Sequence, residues 1–111
     1  MSLKIAICDD EQSQREALGA MAEQWSQKTG QALDIRAFSC AEAFLLDPEE
    51  PVCDILLLDV EMTGMSGVEL ARRLRREKRR VEIVFVSSHF EYIGEGYEVD
   101  ALHYLVKPVA P

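Results

Sequence analysis

Five short apolar runs recur along the chain, separated by stretches long enough for a helix, and this alternation restricts the fold more than any other feature. The runs are residues 3–8, 33–38, 55–58, 81–86 and 102–106. The third, Ile-Leu-Leu-Leu, carries no polar side chain, which suits a strand covered on both faces. Strands alternating with helices over short connections build a parallel sheet whose right-handed crossovers put helices on both faces. In the second run Asp34 and Arg36 alternate with apolar residues, which predicts a strand near the sheet edge.

The intervening segments have helical signatures of unequal strength. Residues 12–28 carry Leu18, Met21, Ala22 and Trp25 at spacings of three and four, one helical face, and Gly30 follows as a C-cap. Ser39 is expected to cap a short helix over 39–46, with Glu42 completing a capping box and Asp47-Pro48 ending it. Ser66 and Glu69 form a second capping box ahead of the apolar face Val68, Ala71 and Leu74. A weak helix is predicted over 91–97, where Gly94 and Gly96 each cost about 1 kcal/mol relative to alanine. The chain ends four residues past Lys107, so a last helix that would cover the sheet face shared with the first helix is expected beyond it.

A length of 111 residues corresponds to one domain with a real core and little to spare. No apolar run approaches the roughly 20 residues of a membrane span and no signal-peptide pattern is visible, which points to a cytosolic chain. Cys8, Cys40 and Cys53 are odd in number, lie in or beside apolar segments and lack metal-ligand spacing, so they read as reduced, buried thiols. A net charge of −8 argues against general nucleic-acid binding. Seven of the twelve basic residues nevertheless fall between Arg72 and Arg80. Their place at the end of a predicted helix suits the helix dipole, and their aliphatic stems can shield apolar surface.

Four of the predicted strands end in polar groups: Asp9-Asp10 after the first, Asp59 after the third, Ser87 after the fourth and Lys107 after the fifth. In an open parallel sheet these ends share one edge, where ligands gather. Clustered carboxylates resist ionising unless a cation joins them. A few accessible oxygen ligands suit Mg²⁺ that keeps several waters. A hydroxyl and an ammonium opposite them are donors for phosphoryl oxygens. The set has the parts for phosphoryl transfer onto Asp59. Singly, each residue has an ordinary explanation: the acids favour a helix N-terminus, Asp59 caps a turn, Ser87 bonds backbone and Lys107 is solvated.

Ile7-Cys8-Asp9-Asp10-Glu11, Ile55 to Asp59 with Met62 and Gly67, Val86-Ser87-Ser88 and Tyr104-Leu105-Val106-Lys107-Pro108, in that order, resemble the receiver domain of two-component response regulators. The resemblance spans essentially the whole chain. Residues 90–104 look most like receivers that precede a LytTR-type DNA-binding domain. The resemblance implies a flavodoxin-like doubly wound sheet of order 2-1-3-4-5. It implies that a sensor histidine kinase phosphorylates Asp59 and that Mg²⁺ is held by Asp10 directly, Asp9 largely through water, Asp59, and the backbone carbonyl of Glu61. Ser87 and Lys107 would bind the phosphoryl group, Tyr104 would be the aromatic switch, and the bond to Pro108 would be cis. The segment between Ser87 and Tyr104 would be the bistable element. Residues 1–111 would then be a receiver whose output domain lies beyond the chain, with homodimerisation possible on activation and DNA contacted only through that output domain.

Two residues depart from the family pattern. Thr63 stands where proline usually follows Met62, which predicts a less rigid loop, and Ser88 replaces a commonly smaller residue beside the phosphoryl pocket. Two rival readings remain open. Asp59-Val60-Glu61-Met62-Thr63 looks like a loosened Asp-x-Asp-x-Thr motif of haloacid-dehalogenase-type phosphatases, although that motif normally follows the first strand. A receiver-like module that binds its partner without phosphorylation is the other.

Overall fold

The computed structural model describes residues 3–46, 53–77, 81–87, 101 and 103–107, with the side chains of 103, 104 and 106 outside that description. The elements run β1 (Leu3–Cys8), α1 (Gln12–Thr29), β2 (Leu33–Phe38), α2 (Ala41–Leu45), β3 (Ile55–Leu58), α3 (Gly67–Arg76), β4 (Glu82–Ser87) and β5 (His103–Val106). The strands form one parallel sheet in the order β2-β1-β3-β4-β5, the expected flavodoxin-like winding. The predicted helix over 91–97, the Asp47-Pro48 stop, the basic residues 78–80, Ser88, the Tyr104 side chain and Pro108 lie outside the described residues.

Because side chains alternate along a strand, each central strand feeds two cores. Ala6 and Cys8 of β1, Leu56 and Leu58 of β3, and Ile83 and Phe85 of β4 pack with Phe44 of α2 and with Val68, Leu70, Ala71 and Leu74 of α3. Ile5, Ile7, Val84 and Val86 face the other way and pack with Leu18 of α1, bordered by Ile55, Leu57 and Leu105. The α2–α3 side is the more completely closed on β3, where Leu56 and Leu58 are fully buried while Ile55 and Leu57 are half-buried. β2 is an edge strand, with Asp34 and Arg36 exposed as its alternation required.

The helix ends show what the sequence encoded and what it hid. Gly30 caps α1 at φ 76°, donating its N–H to Ser26 O, a left-handed geometry that favours glycine. Ser66 and Glu69 form the expected reciprocal capping box of α3. At α2 the expectation fails: the N-cap is Cys40, not Ser39, and its Sγ accepts the Ala43 N–H. Glu42 completes no box there because its carboxylate reaches the Met65 N–H instead. The α1 face is also narrower than its spacing implied. Leu18 is buried, Met21 and Ala22 are half-buried, and Trp25 is 47% exposed. An 18-residue helix is about 27 Å long and a six-residue strand about 20 Å, so the last turns of α1 outrun the sheet. Of the three free thiols only Cys8 is fully buried; Cys40 and Cys53 are half-buried, Cys40 because it serves as a helix cap.

Candidate functional site

Asp9, Asp59 and Lys107 each sit one position past their strand, held there by one more rung of the ladder. The Asp9 N–H donates to Phe38 O of β2 at 3.1 Å and the Asp59 N–H to Cys8 O of β1 at 2.9 Å. The Lys107 N–H donates to Ser87 O of β4 at 2.8 Å. Backbone pairing therefore extends just beyond the apolar runs and fixes these residues on rigid scaffolding while their side chains leave the core. The apolar run supplies the strand, and the polar residue that ends it becomes the edge of the sheet.

Asp9 is fully buried, and each of its carboxylate oxygens accepts a hydrogen bond. Its Oδ1 accepts the Glu11 N–H at 3.0 Å and its Oδ2 accepts Lys107 Nζ at 2.9 Å. Arg15, from the first turn of α1, donates from Nη1 to the Asp9 carbonyl oxygen at 2.8 Å. The Lys107 ammonium also lies 3.7 Å from Asp59 Oδ1, so it bridges the ends of β1 and β3. Asp59 itself is only 6% exposed, and Ser87 is fully buried at the end of β4. Asp10 turns outward, where its Oδ2 accepts the Thr63 N–H at 3.2 Å and the Thr63 hydroxyl at 3.5 Å.

The electrostatics record too much negative charge in too small a space. Burial, with Asp9 and Asp10 adding to it, pushes the Asp59 carboxyl up to about 6, although Lys107 pulls it down. Burial works against the Lys107 charge, but the hydrogen bond to Asp9 and the nearby Asp59 outweigh it and hold the ammonium above the usual lysine range. Asp9, Asp10 and Asp59 each offer a carboxylate oxygen, and these oxygens lie within 4.8 Å of one another. Three hard oxygen donors with one of them exposed are a fitting partial shell for Mg²⁺, with room for water ligands. Glu61 is exposed in the loop after β3.

That loop is built around close packing at its far end. Gly67 begins α3 directly against the peptide that follows Asp59: a Cβ added there would lie 2.0 Å from Asp59 O and 3.1 Å from Val60 Cα. The Gly67 N–H donates to Val60 O at 2.8 Å. Only glycine permits this approach, and the approach sets where Asp59 points. Gly64, at φ 84°, lies under the Glu42 carboxylate, which also accepts the Met65 N–H at 3.0 Å. Thr63, at the position where the sequence predicts a less rigid loop, donates the backbone hydrogen bond to Asp10 that a proline lacks.

The structure thus brings Asp9, Asp10, Asp59 and Lys107 together and places buried Ser87 beside them in the ladder. Sequence reasoning missed Arg15 and the loop-holding role of Glu42. The four-residue step from Glu11 to Arg15 was a usable signal for the first, since it puts Arg15 one helical turn from the acids. Glu42 had no such signal, because its partner lies 23 residues away in a loop.

The family model described as response regulator receiver domain matches residues 5–111. Among curated proteins, the chain is 32% identical to the sensory transduction protein LytT of Bacillus subtilis over 106 residues. It is 35% identical to the positive alginate biosynthesis regulatory protein of Pseudomonas aeruginosa over 108 residues. Both matches cover 96% of this chain but only 42% of the relative, so the chain spans about two-fifths of their length. Among solved structures, the BeF3-activated DrrB receiver domain superposes with a TM-score of 0.79 at 25% identity, covering 100% of this chain and 89% of that one. The Thermotoga maritima response regulator TrrA in complex with Mg²⁺–BeF gives a TM-score of 0.76 at 28% identity, covering 95% and 86%.

Proposed function

This chain belongs to the response regulator receiver family, a signalling domain rather than an enzyme of ordinary turnover, and from that premise we propose that it is switched by phosphorylation of Asp59. The observation that carries the reading is the Lys107 ammonium, 2.9 Å from Asp9 and 3.7 Å from Asp59, which ties the acceptor to the acidic pair across three strands. An Asp59 carboxylate oxygen attacks the phosphorus of a phosphohistidine on a sensor histidine kinase. The new P–O bond forms as the P–N bond breaks, and the nitrogen keeps the bonding pair.

Asp9, Asp10, Asp59 and the backbone carbonyl of Glu61 would hold Mg²⁺ in this reading. The metal supplies neutralisation of the charge that three carboxylates and a phosphoryl group would otherwise pile together. Lys107 and Ser87 receive the phosphoryl oxygens. The likeness to LytT and to the alginate regulator supports a cytoplasmic transcriptional regulator, with this chain as its receiver and an output domain following.

Incubation with a small phosphodonor and Mg²⁺, read by intact mass, tests the acceptor. One phosphoryl group should appear on the wild-type chain and none on Asp59→Asn. Identical responses of the two chains to beryllofluoride and Mg²⁺ would refute phosphorylation as the switch. Steady multiple turnover of a phosphate monoester would replace the receiver reading with a phosphatase.

A further inference from the structure

Two carboxylates from outside the 61–66 loop hold it at two points. Asp10, past the end of β1, accepts the Thr63 N–H at 3.2 Å and its hydroxyl at 3.5 Å. Glu42, in the first turn of α2, accepts the Met65 N–H at 3.0 Å, and that hydrogen bond is the main cause of its lowered pKa. Gly64, between the two anchors, allows Glu42 to lie flat over the loop: a Cβ there would meet Glu42 Oε2 at 2.8 Å. The loop is therefore pinned to β1 through Thr63 and to α2 through Met65.

The consequence falls on Asp10. Its carboxylate is exposed and, unlike that of Asp9, it is not held by Lys107. Left alone, an exposed aspartate beside two other carboxylates would swing away from them by simple repulsion. The donors of Thr63 oppose that. A carboxylate has about four lone-pair sites on its two oxygens, so accepting from Thr63 on Oδ2 still leaves capacity for a metal. Donors that orient a ligating carboxylate raise the affinity of the site, because the rotamer is set before the ion arrives.

We propose that Thr63 is a positioning residue for the cation site: its backbone N–H holds Asp10 against Asp9 and Asp59, and Glu42 holds Thr63 in place by anchoring the loop at Met65. The inference rests on the reading of Asp9, Asp10 and Asp59 as an Mg²⁺ site. It assigns work to two residues, Thr63 and Glu42, that touch neither metal nor phosphoryl group. It also makes the N–H rather than the hydroxyl the working donor, since the hydroxyl stands at the far limit of hydrogen bonding.

Calorimetric titration of the chain with Mg²⁺ alone separates these roles. Thr63→Pro, which removes both donors, should bind about tenfold more weakly, whereas Thr63→Ala, which keeps the N–H, should stay within about threefold. Glu42→Ala should weaken binding and Glu42→Gln should restore it, because a glutamine carbonyl can still accept from Met65. Glutamine and alanine are both uncharged, so the contrast excludes a bulk charge effect. Melting temperatures in chelator provide the readout that a merely structural role would move instead. Thr63→Pro binding Mg²⁺ within about twofold of wild type, with an unchanged circular dichroism spectrum, would overturn the proposal. Should that variant not fold, the wild-type Thr63 amide decides. Its hydrogen exchange should slow as Mg²⁺ is added, and loss of its protection would refute the role. An absence of Mg²⁺ heat in the wild-type chain would sink the metal-site reading itself, a different result from equal binding by all variants.

Discussion

Substituting Gly67 by alanine should damage the fold and the site together. The added Cβ would stand 2.0 Å from Asp59 O, 2.9 Å from Asp59 C and 3.1 Å from Val60 Cα. Carbon–oxygen contacts recur no closer than about 3.3 Å, so the overlap is roughly 1.3 Å against backbone, which cannot rotate away as a side-chain tip can. Overpacking of this kind costs about 3 kcal/mol, and the helix propensity gained by replacing glycine returns at most about 1 kcal/mol. The net loss of about 2 kcal/mol lowers the melting temperature by roughly 8 °C for a domain of this size. Relief can come only from moving α3 or the Asp59–Val60 peptide, so Mg²⁺ affinity should fall as well. The matched control is Gly19→Ala in α1, where the new Cβ meets only Ile7 Cδ1 at 4.0 Å. That change should stabilise by about 0.5–1 kcal/mol through backbone entropy. Thermal melts of the two variants, followed by circular dichroism, check the contrast. If Gly67→Ala melts at or above the wild-type temperature, the close approach is not what positions Asp59.

Lys107→Ala leaves the fully buried Asp9 without its ammonium and should destabilise by about 3 kcal/mol, measurable by urea unfolding at neutral pH. Because Lys107 is the group pulling the Asp59 carboxyl down, Asp59 in this variant should titrate still higher than about 6. It should still take up phosphate from a small donor but show no backbone amide shifts beyond the end of β4. The pH dependence has a definite sign. Without metal the folded Asp59 titrates near 6 against an ordinary value of 3.8, so the folded chain binds more protons and stability falls as pH rises through that window. Mg²⁺ needs the ionised carboxylate, so its apparent affinity should drop by about tenfold per pH unit below about 6, as calorimetry across buffers would reveal.

The sheet and most of its site were legible because they rest on local pattern. Apolar runs bounded by polar residues predicted the strands within a residue or so, and the alternation of strand and helix predicted their parallel arrangement. Asp9, Asp59 and Lys107 could be placed on one edge from topology alone, since each follows an apolar run and all the strands point the same way. What failed was whatever depended on a choice between partners. Ser39 and Glu42 matched a capping box in spacing, but Glu42 had a better acceptor's role at Met65, and a cysteine took the cap. Trp25 matched the apolar period of α1, but the period says nothing of where the strands beneath end.

Thr63 makes the same point with consequences for chemistry. A missing proline reads, in sequence, as lost stiffness, because proline restricts the unfolded chain and fixes its own φ. In the folded chain the change also restores an N–H, and that N–H has an acceptor within reach only because β1 and β3 are neighbours in the sheet. Asp10 and Thr63 are 53 residues apart, so no local pattern connects them. The loop exchanges stiffness built into the chain for a hydrogen bond to a carboxylate of the cation site. Order in the loop is then tied to the placement of Asp10, and a cation held by Asp10 acts on the loop through a contact that a proline could not make.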